Sequence, residues 1–172
     1  EFCESSIISY SDLEPGDIRR ILCDIVFFAA KCIESYTLDD QRIDFWIKVL
    51  FDNSSSKIIE ASEMSLQSLS IVVYKKSSKI CQLADNRFIK NLLRKGNQLD
   101  INSKSSKSII NILLPITARA DEKSFDYLLC KGIEALVTRY LDNDSCLHEV
   151  IMLTSMLIHK NEEAAKMLWE KE

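Results

Sequence analysis

The chain repeats itself at a spacing of 44 residues. Shifted by that interval, Leu66, Leu69, Ile89, Leu92 and Leu93 fall on Ile110, Leu113, Ile133, Leu136 and Val137. Ile80, Leu83 and Ala84 fall on Ser124, Tyr127 and Leu128. Within each block the apolar positions recur at helical rather than strand spacing. A period of 20–50 residues built this way marks stacked helical units, each too small to bury its own apolar face. Three glycines and two prolines in 172 residues are too few for the tight turns of a sheet-rich fold, so the expectation is all-α.

The units read as an N-terminal extension (1–16) followed by one repeat domain (17–172) of about three and a half repeats: 17–56, 57–100, 101–143 and an incomplete 144–172. Leu22 and Ile25 precede Leu66 and Leu69 by 44, and Ile43, Trp46 and Ile47 precede Ile89, Leu92 and Leu93 by 46. Val150 and Leu153 follow Ile110 and Leu113 by 40. A helix is expected over 57–76, with a short connection before Ile80. Gly96-Asn97 is expected to stop the following helix, the Ser/Lys-rich stretch 98–107 to form a mobile loop, and Pro115 to kink or split its helix. The chain starts without Met and stops before a counterpart of 133–141, so it reads as a fragment or a processed product. Trp169 would then have packed on a missing helix, making the C-terminal edge a place for self-association.

The segment Cys130-Lys131-Gly132-Ile133-Glu134-Ala135-Leu136-Val137-Thr138-Arg139-Tyr140-Leu141 resembles the third helix of an armadillo repeat. Asn86-Arg87-Phe88-Ile89-Lys90-Asn91-Leu92-Leu93 is a second copy, and Ser65-Leu66-Gln67-Ser68-Leu69-Ser70 resembles a second helix. Residues 18–172 are thus similar to the armadillo/HEAT superfamily, which implies a right-handed α-solenoid of helical repeats; the alternative is an irregular helical bundle. The resemblance implies a non-catalytic scaffold or adaptor, cytoplasmic or nuclear, that binds a partner protein on a concave face lined by third helices. Fold-level analogy also offers a regulator or exchange factor for a small GTPase or a heat-shock chaperone. Trp46 and Asn91 lie in different units, which disfavours a nuclear-import receptor.

Charge singles out one stretch. The net charge is −4, yet residues 75–107 carry nine Lys/Arg and two Asp/Glu, against six and thirteen in residues 1–74. Arg87, Lys90, Asn91 and Arg94 stand at i, i+3, i+4 and i+7, on one helix face opposite Ile89, Leu92 and Leu93. A cationic stripe concentrates acidic partners, so these four residues are the candidate contacts for an acidic segment of another protein. The acidic total and the scarcity of aromatics in the basic stretch disfavour nucleic acid.

Catalytic and metal signatures are missing from the sequence. His148 and His159 are the only histidines, about three helical turns apart and too distant to share a metal. There is no HExxH, GxSxG or phosphate-binding glycine loop. No enzyme activity, cofactor or metal is expected. No apolar run reaches the length of a membrane span. The six cysteines lack CxxC spacing, and Cys23, Cys81 and Cys130 fall in apolar helical patterns, so reduced buried thiols are expected rather than a disulfide framework.

Overall fold

The computed structural model of the chain describes residues 15–34, 40–160 and 166. The expectations for the 1–16 extension fall almost wholly outside these residues, as does that for Trp169. The described chain is all-α, with no strand among the described residues. Its helices are α1 (Pro15–Glu34), α2 (Asp40–Ser54), α3 (Ile59–Leu83), α4 (Asn86–Gln98), α5 (Lys104–Arg119), α6 (Glu122–Cys130), α7 (Ile133–Tyr140) and α8 (Leu147–Lys160).

One row of packed helices runs α1–α3–α5–α8, with α2 against both α1 and α3; beside it, α4 packs on α5 and α7, and α7 on α6 and α8. The five pairs from Leu66/Ile110 to Leu93/Val137 are all buried, whereas Leu22, Ile25, Leu83, Ala84 and Tyr127, related by the same shift, are half-buried. The buried pairs join Val26, Ala29, Ile47, Leu50, Val150 and Leu153 in one continuous core. Each such side chain contributes about 1.5–3 kcal/mol when removed from water. Several interhelical hydrogen bonds span close to the 44-residue interval: Tyr127 to the Asn86 carbonyl spans 41 residues, Arg119 to Ser77 spans 42, Tyr140 to Gly96 spans 44 and Lys160 to Ala120 spans 40. A second set spans 33 to 36.

Packing tests several local expectations. The break expected after residue 76 is a kink inside α3: Lys76 (φ −133°, ψ 35°) is non-helical and joins two helical stretches of Ile59–Leu83 without a separate connection. Forty-four residues later is Ala120, where α5 ends, so both stretches turn at one register. Pro115 does not split α5, which runs unbroken from Lys104 to Arg119. Burial of Ile109, Ile110, Ile112, Leu113 and Ile116 between α3 and α8 outweighs a proline penalty of about 3 kcal/mol. The Pro115 carbonyl meanwhile accepts from the Cys81 thiol at 3.3 Å.

Residues 98–107 are not a loose loop. Ser103 caps α5, its hydroxyl accepting from the Ser106 N–H at 3.2 Å, and Ser105, Ser106 and Ser108 are buried within the helix. The Arg139 guanidinium donates to the Asn97 and Leu99 carbonyls, and the Asn143 amide to the Ile101 carbonyl. Gly96 lies inside α4 rather than ending it. A Cβ there would come 2.4 Å from Leu136 Cδ1 and 3.3 Å from Ile109 Cγ2, so glycine permits the close approach of α4, α5 and α7. Gly132, at φ +84°, is the left-handed residue that turns α6 into α7.

Candidate functional site

Asp85 begins α4, its carboxylate accepting from the Phe88 N–H at 2.7 Å. Phe88, Ile89, Leu92, Leu93 and Gly96 then bury one face of the helix. The opposite face carries the predicted stripe. Arg87, Lys90 and Arg94 are exposed there, and Asn91 is half-buried.

The four residues divide by role. The Asn91 amide donates to the Ser55 hydroxyl at 3.1 Å and so ties α4 to the end of α2. Arg87 and Asn91 line a cleft of about 230 Å³ between α2 and α4, with Lys48 and Asp52 on its far wall. Its floor is the stacked pair Phe51 and Phe88, ring centroids 3.8 Å apart. Lys90 and Arg94 stand outside this cleft. Arg87, Lys90 and Arg94 form no ion pair with another described residue.

Three lysines of the basic stretch are engaged elsewhere, whereas Lys76 and Lys104 form no ion pair with another described residue. Lys79 pairs with Asp44 of α2 at 3.2 Å. Lys107 pairs with Glu149 of α8 at 3.2 Å and donates to the Ser145 carbonyl. Lys95 is half-buried and donates to the Ser62 hydroxyl of α3. Burial pushes its ammonium below the usual lysine range, with adjacent Arg94 adding to the effect and Glu63 opposing it.

The charges left on α4 run against what the helix prefers. Arg87 sits in the first turn, where the helix dipole favours negative charge; the capping Asp85 carboxylate is the acidic group at that end. Lys90 and Arg94 are like charges at i, i+4, a spacing that costs an isolated helix about 0.2–0.5 kcal/mol.

A second polar surface escaped the sequence reading. A cleft of about 430 Å³ crosses α3 and α5, lined among others by Gln67, Ser70, Lys104 and Asn111. Asn111 is 8% exposed, and its Oδ1 has no hydrogen-bond partner. The signal was an amide set within the apolar run Ile109–Leu114.

The cysteines depart from expectation in burial. Cys23, Cys32, Cys81, Cys130 and Cys146 are free thiols; only Cys146 among them is buried, and Cys130 is exposed. Burial and the nearby Glu149 push the Cys146 thiol pKa up, which keeps it protonated and unreactive. His148 and His159 are exposed on α8. Among the described residues, no group of three or more His, Cys, Asp or Glu is arranged to hold a metal, and no helix is long and apolar enough to cross a membrane. Comparison with protein-family models, curated proteins and solved structures finds no match to the chain.

Proposed function

We propose that the protein is a non-catalytic α-solenoid of armadillo/HEAT-like units that holds a partner protein through an acidic segment on the outer face of α4. Support for the solenoid comes from the ordered packing α1–α3–α5–α8 and from hydrogen bonds spanning 38–44 residues between successive stretches. The observation that carries the docking reading is the set Arg87, Lys90 and Arg94: three exposed cations on one face, without ion-pair partners among the described residues, in positions that weaken the helix bearing them. An acidic partner supplies the missing counter-charges and is drawn in at long range.

Reversing two of these charges, Lys90→Glu with Arg94→Glu, tests the reading. Quantitative capture of partners from a lysate by the double variant should fall at least tenfold, with the helical circular-dichroism signal and melting temperature retained. Equal capture by both proteins removes the site.

A further inference from the structure

A slot opens where α3, the end of α4 and the start of α5 meet, about 230 Å³ in volume. That is room for one large apolar side chain. Ile59, Leu66 and Leu99 supply apolar wall, Lys95 and Gln98 stand on the α4 side, and Ser105 lies at the α5 side. Ile59 is 69% exposed at the first turn of α3 and offers apolar surface at the mouth of the slot. Ser105 is 1% exposed, and its hydroxyl has no hydrogen-bond partner.

The slot continues the α4 docking face. Asn91, Lys95 and Gln98 follow one another at i, i+4 and i+7, and Arg94 adjoins Lys95. Resting on the proposed docking of an acidic segment along α4, we infer that this slot takes one apolar side chain of that segment, with an adjacent carboxylate of the same segment on Lys95. A side chain seated in a well-packed pocket whose rim excludes water is the arrangement that concentrates binding energy at protein interfaces. Lys95 uses one of its three donor hydrogens on Ser62, and Glu63 faces it from the α3 wall. The incoming carboxylate therefore approaches from the Arg94 side, where the local charge is positive.

The test is selection of a phage-displayed random 12-residue peptide library on the whole chain, followed by fluorescence anisotropy of the enriched peptides. The expected result is enrichment of Leu, Ile, Met or Phe directly beside Asp or Glu. Ile59→Glu, which puts an acid in the first turn of α3 where the helix tolerates it, should weaken those peptides at least tenfold with an unchanged melting temperature. Lys95→Met should keep the apolar preference and lose the acidic neighbour. Acidic peptides with no apolar preference, or binding indifferent to Ile59→Glu, would overturn the slot while leaving the α4 face standing. Selection yielding no acidic peptides would overturn both.

Discussion

α4 and α7 stand 44 residues apart in the sequence; they share an inward apolar triplet and differ on their outward faces. Inward, Ile89, Leu92 and Leu93 of α4 match Ile133, Leu136 and Val137 of α7, all buried. Outward, Arg87, Lys90, Asn91 and Arg94 correspond to Lys131, Glu134, Ala135 and Thr138. Lys131 lies over the Tyr127 ring at 5.3 Å, and Thr138 bonds to the Glu134 carbonyl of its own helix. The packing thus demands the apolar triplet and leaves the other face open. A basic stripe appears on one helix and not on its counterpart, so the fold itself does not require it.

If the triplets are equivalent, truncating them should cost alike. Leu92→Ala and Leu136→Ala should each destabilise by about 2–5 kcal/mol, read from urea unfolding midpoints. A large cost at one and a negligible cost at the other would break the equivalence.

The two helices are also joined directly. Tyr140, the counterpart of Gly96, is fully buried, with its hydroxyl 2.9 Å from the Gly96 carbonyl and 2.8 Å from the Ser106 hydroxyl. Tyr140→Phe should lower stability by about 1–3 kcal/mol, measured by thermal and urea unfolding. No change would mean that the apolar contacts of the ring alone hold α7 against α4.

The outward faces should respond in the opposite way. Lys90→Glu with Arg94→Glu should shift unfolding free energy by no more than about 0.5 kcal/mol while abolishing partner capture. A large loss of stability would make the stripe structural.

Lys95 lies between these cases, and its smaller effect is a pH dependence. Its folded pKa lies below that of a free lysine because the side chain is partly buried. The unfolded chain therefore holds this proton to higher pH than the folded one does. The resulting cost is fully present below the folded pKa and is relieved as pH rises through it toward the unfolded pKa. Relative to Lys95→Met, the wild type should gain stability over that alkaline window, as followed by urea unfolding at stepped pH. A flat difference would mean that Lys95 is solvated in the folded state.

The all-α class and the inward triplets were legible in the sequence because burial imposes the helical period on residues such as Leu92 and Leu136. Breaks were read less well. Pro115 and the run Ser105-Ser106-Lys107-Ser108 look like interruptions locally, but Pro115 sits inside an unbroken helix and neighbouring helices bury the three serines. The serines fit because a small hydroxyl can bond to its own helix, as Ser108 does to the Lys104 carbonyl at 3.2 Å. The charged face of α4 was visible as a spacing. That Asn91 is tied to Ser55 and Lys95 to Ser62 was not, since both depend on where the ends of α2 and α3 come to rest.

The stacking itself is most directly tested by one distance. In the row α1–α3–α5–α8, three helix-to-helix steps separate the outer members, each about 8–10 Å. Spin labels introduced as unnatural amino acids at the exposed positions Asp24 of α1 and Ser155 of α8 would report it by double electron–electron resonance. Stacking predicts a distribution centred at or beyond about 24 Å. A distribution centred near about 10 Å, the spacing of two helices in contact, would mean that the ends close on each other around a shared core and would contradict it.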